Sequence, residues 1–138
     1  MVLDASVLVA ATSDSGAEGA WAEEMIGAGG LVAPHLVLVE ATNILRRLER
    51  AGKLGHLEAA AAAGDLLLID VELMPFAPFA ERVWELRSNV TSYDAWYVAV
   101  AEAFDLPLAT LDRSLAAAPG PRCRFELPPA AGPSPRTS

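Results

Sequence analysis

Residues 91–115 read TSYDAWYVAVAEAFDLPLATLDRSL, and this stretch indicates the architecture of the chain. Residues 91–104 have helical spacing, because Thr91 is a suitable N-cap and Asp94 stands three residues later, where a capping-box acid belongs. The predicted apolar stripe of this helix comprises Tyr93, Trp96, Tyr97 and Val100. A short loop leads to an apolar strand at residues 108–111. A helix that returns to a strand through a short loop is typical of a parallel sheet.

The same alternation extends toward both ends of the chain. Strands are predicted at residues 1–3, 31–33, 71–74, 108–111 and 123–127. Helices are predicted at residues 5–11, 15–28, 35–51, 55–68, 78–87, 91–104 and 112–118. The predicted fold class is therefore α/β, a parallel sheet flanked by helices on both faces. Residues 1–127 form one predicted domain, and the proline, glycine and serine content of residues 128–138 predicts a disordered tail.

The composition of the chain limits where the protein can be located and which partners it can bind. The 138 residues include one cysteine, Cys123, so no internal disulfide can form. Met1 to Leu3 lead directly to Asp4 without the basic and apolar regions of a secretory signal, and we expect a cytoplasmic protein with no membrane contact. The formal net charge of −8 argues against a nucleic-acid partner. Cations bound by catalytic acids would offset part of that charge.

Despite the negative net charge, four basic residues lie close together in the sequence and form a local basic patch. It comprises Arg46, Arg47, Arg50 and Lys53. Two interpretations remain open at this stage: a solvated helix face, or a surface that contacts RNA.

Four acids are expected at one edge of the sheet. Asp4 ends the first strand, Asp112 follows the fourth, and Asp94 lies in the first turn of a helix that begins at the same edge. Glu40 lies one turn deeper, in the helix after the second strand. The carboxyl edge is where parallel α/β sheets bind their ligands. Each aspartate could instead be a helix cap, whereas Glu40, set among apolar residues, needs a cation, a proton or an arginine.

Converging carboxylates predict a divalent cation. Two like charges ~5 Å apart repel by roughly 3 kcal/mol at an effective dielectric constant of 20. Mg²⁺ or Mn²⁺ suits an all-carboxylate site, and His35 and His56 are too isolated to indicate zinc. Such an ion lowers the pKa of an attacking water and neutralises charge on a phosphate, so phosphoryl chemistry is expected.

Four motifs surround these acids: residues 2–8 (VLDASVL), 34–45 (PHLVLVEATNIL), 90–99 (VTSYDAWYVA) and 108–115 (LATLDRSL). In this order they resemble the PIN domain, and within it the VapC toxins of bacterial toxin–antitoxin pairs. The resemblance covers nearly the whole chain except the tail. It implies a flavodoxin-like sheet and a Mg²⁺-dependent endoribonuclease that cleaves transfer or ribosomal RNA and inhibits translation. It also implies a homodimer and a cognate VapB-like antitoxin with a basic residue near the acids.

The resemblance further assigns individual roles. It implies that Asp4, Glu40, Asp94 and Asp112 are the catalytic, metal-binding acids. It implies supporting roles for Ser6, Asn43 and Thr110, although helix or turn hydrogen bonding explains these residues equally well.

The sequence is also compatible with two alternative functions. The first is a non-catalytic PIN-like module that docks a basic partner on the acids. The second is a phosphatase-like or receiver-like protein, and the phosphatase type requires a second aspartate where Ser6 stands. A metal-dependent nuclease assay discriminates between an enzyme and a docking module.

Overall fold

A parallel five-stranded sheet is the centre of residues 1–130, the part of the chain that this computed structural model describes. The strands are β1 (Val2–Leu3), β2 (Leu31–Pro34), β3 (Val71–Met74), β4 (Leu108–Ala109) and β5 (Phe125–Glu126). Their order across the sheet is β3-β2-β1-β4-β5, and every neighbouring pair is parallel. The predicted α/β class and all five predicted strands are confirmed.

Helices alternate with the strands along the chain. They are α1 (Ala5–Ser13), α2 (Ala17–Gly27), α3 (Val37–Arg50), α4 (His56–Leu66), α5 (Ala80–Glu85), α6 (Ser92–Phe104) and α7 (Arg113–Ala117), with a 3₁₀ turn (Ala77–Phe79) before α5. Their bounds agree with the predictions to within a few residues. The helix α3 begins two residues later than predicted, because the His35 amide donates to the Met74 carbonyl (2.9 Å) and so still belongs to the sheet ladder.

The helix α6 lies over the centre of the sheet, where it packs on β1, β2 and β4. Its inward residues are mostly small, and all of them are buried: Ala95, Tyr97, Val98, Ala99, Val100 and Ala101. The predicted apolar stripe is wrong at Tyr93, which is 63% exposed. The alanines on the inward face let the helix approach the strands closely.

The strand register sets the position of the acids. Val2 of β1 lies opposite Leu108 of β4, and Leu3 lies opposite Ala109. Both strands end there, and the Asp4 amide still donates to the Ala109 carbonyl (3.2 Å). The chain segments that carry the first and last acid therefore leave the sheet side by side.

The C-terminal segment packs on the domain as far as Pro128, which the sequence placed in the tail. Pro128 is buried, and its carbonyl accepts a 2.7 Å hydrogen bond from Arg113. The rest of the predicted tail, from residue 131 onward, lies outside the described residues. Within the described part, no helix has both the length and the apolar character needed to cross a membrane.

Candidate active site at the carboxyl edge of the sheet

Asp4 occupies the turn between β1 and α1. Its Oδ1 accepts from the Val7 amide (3.2 Å) and from the Ser6 hydroxyl, and its Oδ2 accepts a short hydrogen bond from the Thr110 hydroxyl. Asp4 is therefore the N-cap of α1, as one sequence interpretation allowed. The two hydroxyls fix the orientation of the carboxylate, because each holds a different oxygen.

Asp112 caps the last helix, α7. Its Oδ1 accepts from the Ser114 amide (3.0 Å), the Ser114 hydroxyl (2.6 Å) and the Leu115 amide (3.2 Å). The Asp112 amide in turn donates to the Thr110 hydroxyl oxygen (2.9 Å). Thr110 thus joins the turn after β4 to Asp4.

Asp94 lies in the first turn of α6. Thr91 is the N-cap of this helix, as predicted, and its hydroxyl accepts from the Asp94 amide (3.2 Å). The half-buried Asp94 side chain lies on the wall of the same cleft as Asp4 and Asp112. Its backbone is thus fixed by the cap, while its carboxylate is available to the cleft.

Glu40 is held by a residue that sequence reasoning treated only as apolar. The Tyr97 hydroxyl donates to Glu40 Oε1 over 2.6 Å. Tyr97 is only 2% exposed and Glu40 is half-buried, so the bond is partly shielded from bulk water. Charge-assisted hydrogen bonds of this kind are short and strong. The sequence predicted that Glu40 needs a cation, a proton or an arginine; the neutral Tyr97 hydroxyl stabilises its carboxylate in part.

The four acids line one cleft of about 460 Å³, together with Ala5, Ser6, Ile44, Arg47, Tyr97 and Leu111. We call this the acid cleft. The four acids therefore lie at one edge of the sheet, as predicted, and they line the same cleft. Within residues 1–130, however, no three Asp, Glu, His or Cys side chains are placed closely enough to share one ion. Mutual repulsion of carboxylates favours such a spread arrangement.

Burial and neighbouring charge raise the pKa of two of these acids. The pKa of Asp4 is raised chiefly by burial and also by the charge of Asp94, while the hydrogen bonds from Ser6 and Thr110 oppose the shift. The pKa of Asp94 is raised by burial and then by the charge of Asp112. Asp112 differs, because the hydrogen bond from Ser114 lowers its pKa. Asp4, Asp94 and Asp112 are therefore electrostatically coupled.

Two of the three predicted supporting residues reach the acids. Ser6 and Thr110 hydrogen-bond Asp4 directly, and Thr110 is completely buried. Asn43 does not reach the acid cleft, since it is exposed in a separate depression beside Thr42 and Arg46. The cleft-facing side of α3 instead carries Glu40, Ile44 and Arg47 at positions i, i+4 and i+7.

Sequence reasoning missed the contact of Tyr97 with Glu40 and the particular position of Arg47. The helical spacing from Glu40 was the available signal for Arg47. No local signal marked the Tyr97 hydroxyl, because its partner lies 57 residues away.

The donor chemistry of the cleft fits Mg²⁺ or Mn²⁺. Its described lining offers four carboxylates and the hydroxyl groups of Ser6 and Tyr97, and it includes neither cysteine nor histidine. Oxygen donors of this kind suit hard divalent cations, whereas zinc sites are built from thiolates and imidazoles. A cation would also relieve the repulsion from Asp112, which adds to the effect of burial in raising the pKa of Asp94.

A second groove adjoins the acid cleft and shares Ser6, Ile44 and Leu111 with it. Its volume is about 520 Å³. The groove combines an apolar floor with a rim that is mainly acidic. The floor includes Val9, Ala10, Leu48 and Leu54, and the rim carries Asp14, Glu18 and Glu58 together with Lys53. We call it the acidic groove.

Comparisons with known proteins agree with this architecture. The sequence model of the PIN domain matches residues 1–121. Ribonuclease VapC1 of Mycobacterium tuberculosis is 39% identical over 127 residues, which cover 91% of this chain and 96% of that protein. The crystal structure of PAE2754 from Pyrobaculum aerophilum superimposes with a TM-score of 0.65 at 29% identity, covering 90% of this chain and 81% of that one.

A more distant structure has the same fold. VapBC2 from Rickettsia felis, bound to a DNA fragment from their promoter, gives a TM-score of 0.64 at 18% identity, covering 93% of this chain and 98% of that one. At that identity the likeness concerns the fold alone.

Proposed function

Because the chain belongs to the PIN-domain family, we propose that it is a metal-dependent endoribonuclease and the toxin of a toxin–antitoxin pair. The observation that carries the proposal is the acid cleft, whose lining includes Asp4, Glu40, Asp94 and Asp112 from four separate segments. The 39% identity to a ribonuclease over most of both chains supports the same activity.

In the proposed mechanism, Asp4, Glu40, Asp94 and Asp112 would supply the oxygen ligands of Mg²⁺, or of Mn²⁺ as a substitute, although in the described structure fewer than three of them lie close enough to share one ion. When bound, such an ion would lower the pKa of an attacking water and neutralise charge on the phosphate that is hydrolysed. Ser6 and Thr110 orient Asp4 through opposite oxygens of its carboxylate.

Hydrogen bonds with Tyr97, Thr91 and Ser114 hold the other three acids. Tyr97 orients Glu40, and the Thr91 cap fixes the backbone at Asp94. Ser114 and the first turn of α7 hold Asp112 by one oxygen, Oδ1. The hydrogen bonds keep the acids in position before substrate arrives, so that little reorganisation accompanies the reaction.

We propose RNA as the substrate, with transfer RNA and ribosomal RNA as the two classes to examine and inhibition of translation as the consequence. Cleavage within a chain requires an open site, and the acid cleft is open to solvent on its Asp112 side, where that residue is exposed.

The acidic groove supports a VapB-like antitoxin as the partner. Its apolar floor and acidic rim match an amphipathic segment that carries basic residues. Because the acidic groove shares Ser6 and Leu111 with the acid cleft, a basic side chain of that segment can enter among the acids and block them.

A homodimer is the second part of the proposed assembly. Aromatic side chains are exposed on α5 and at the start of α6, where Trp84 is 67% and Tyr93 is 63% exposed. Large exposed aromatic residues are common in protein interfaces. Light scattering after size exclusion, with the chain alone and with its co-purified partner, gives both stoichiometries, and a free monomer in both samples contradicts the assembly.

The function is tested by expressing the chain without its partner in a bacterial host and sequencing the new RNA ends. Discrete ends in transfer or ribosomal RNA are expected with the wild-type chain and not with Asp94→Asn. If the RNA ends are the same for both chains, the toxin ribonuclease is wrong. A stable complex with a basic protein, without any cleavage, supports the docking module instead.

A further inference from the structure

One positive charge lies on the wall of the acid cleft. Among the described residues that line it, Arg47 is the only cation. Arg47 stands seven residues after Glu40 on α3, with Ile44 between them on the same face. Seven residues advance a helix by about 10 Å, so Arg47 is attached two turns away from Glu40.

Among the described residues, the Arg47 side chain forms no ion pair with the acids of the cleft. Within residues 1–130, the ion pairs involve His56 with Glu49 and Arg82 with Glu85 and Glu102, and none includes Arg47. The same part of the structure contains no hydrogen bond donated by the Arg47 side chain. Arg47 is exposed, so its guanidinium is free to meet a ligand in the cleft.

A free cation at this position matters because the protein is strongly negative overall. A chain of net charge −8 repels a polyanion at long range. An RNA strand that enters the acid cleft needs a local positive contact to hold it there. The guanidinium of arginine presents two parallel N–H donors that match the oxygens of a phosphate.

We propose that Arg47 is the phosphate-binding residue of the acid cleft, and that it holds an RNA phosphate adjacent to the one that is hydrolysed. The inference rests on the proposed ribonuclease function and extends it to the substrate contact. Arg47 is attached about 10 Å along α3 from Glu40, so we assign it a phosphate next to the scissile one, which lies at the acids. Arg47 therefore contributes to binding of the strand rather than to the chemical step.

The neighbouring residue is a matched control. Arg46 has the same charge, stands on the same helix and is also exposed. It faces a different depression, lined by Leu38, Val39, Thr42 and Asn43. A general electrostatic attraction predicts equal effects from Arg46→Gln and Arg47→Gln, whereas a specific contact predicts an effect from Arg47→Gln alone.

The test measures binding separately from cleavage. The probe is a fluorescein-labelled, 12-nucleotide single-stranded RNA of mixed sequence, and its anisotropy is followed with Mg²⁺ in the Asp94→Asn background at several KCl concentrations. Arg47→Gln should weaken binding about tenfold and reduce the slope of log Kd against log salt by about 0.7, the contribution of one phosphate contact in a single strand. Arg46→Gln should change Kd less than about twofold, as expected for a surface residue without a contact.

A third variant separates charge from geometry. Arg47→Lys should restore the salt slope and only part of the affinity, because lysine keeps the charge and loses the two-pronged contact. Equal losses in the two glutamine variants, no loss in either, or no measurable binding of the RNA overturns the assignment. Failure of the ribonuclease itself is distinguishable, since it appears as the absence of Mg²⁺-dependent cleavage by the wild-type protein.

Discussion

The Tyr97 hydroxyl donates a 2.6 Å hydrogen bond to Glu40 Oε1, and this contact joins α6 to α3 across 57 residues of sequence. It explains how a carboxylate set among the apolar residues of α3 is accommodated without an arginine partner. Burial, and then the bond to Glu40, raises the pKa of Tyr97, so its hydroxyl stays protonated and remains a donor at every physiological pH.

The contact predicts a selective effect of Tyr97→Phe, which removes one oxygen atom and little volume. Loss of a hydrogen bond that orients a metal ligand typically weakens metal binding about 10- to 100-fold. We expect a weaker Mn²⁺ dissociation constant by titration calorimetry and a lower kcat, with KM for RNA little changed.

Tyr93→Phe is the control for that experiment. Tyr93 stands four residues earlier on the same helix and is 63% exposed, so loss of its hydroxyl should leave Mn²⁺ binding unchanged. If Tyr97→Phe binds Mn²⁺ as tightly as wild type, Tyr97 only packs and does not orient Glu40.

The coupling between Asp94 and Asp112 predicts a pH-dependent stability difference. The pKa of Asp94 is raised from its ordinary value of 3.8, by burial and then by the charge of Asp112, so the folded state holds the proton more tightly than the unfolded chain does. Stability is therefore lost as pH rises from that ordinary value through the raised one.

Asp94→Asn should remove this loss. Without metal, its melting temperature should approach that of wild type near pH 4 and exceed it at pH 7. Thermal melts in chelator from pH 4 to pH 8 give the difference at each pH. A difference that is constant or shrinks with rising pH contradicts the electrostatic account of Asp94.

Metal should stabilise the folded chain, because the acid cleft exists only in the native state. At one hundred times the dissociation constant, binding to the native state adds about 2.7 kcal/mol to the free energy of unfolding. For a domain of this size we expect the melting temperature to rise by roughly 5 to 10 °C in Mg²⁺ or Mn²⁺. Identical melting temperatures with chelator and with millimolar metal would remove the acid cleft as a metal site.

Asp112 separates capping from metal binding, because it has both predicted roles. Asn caps a helix about as well as Asp, whereas Ala lacks the acceptor. In chelator, Asp112→Asn should stay close to wild type in stability, because it keeps the cap acceptor and lifts the repulsion on Asp94 while losing the charge that Ser114 stabilises. Asp112→Ala should be about 1 kcal/mol less stable than Asp112→Asn. Both should respond less to Mg²⁺ in thermal melts. A full response in both variants shows that Asp112 is only the cap of α7.

The positions of Asp4 and Asp112 could be predicted from the sequence, because each follows the carboxyl end of a parallel strand. Strands that end at Leu3 and Ala109 deliver Asp4 and Asp112 to one edge whatever the details of packing. The Tyr97 contact could not be predicted, since it depends on how α6 and α3 pack, and the pattern of α6 marks Tyr97 only as apolar. The sequence also did not predict the exposure of Tyr93 or the separation of Asn43 from the acid cleft. Helical spacing shows only approximately which residues of a helix face the core or a cleft.

Purified wild-type protein, incubated with bulk transfer and ribosomal RNA, tests the central claim most directly. The measurement is the rate of cleavage with Mg²⁺ and with chelator, for wild type, Asp4→Asn and Asp94→Asn, with circular dichroism as the check of folding. We predict cleavage by wild type that requires Mg²⁺, and folded variants whose rate falls at least about 100-fold, since each loses a charge that stabilises the reaction. Cleavage that persists in chelator, or a folded Asp94→Asn variant with the wild-type rate, would contradict a metal-dependent ribonuclease centred on these acids.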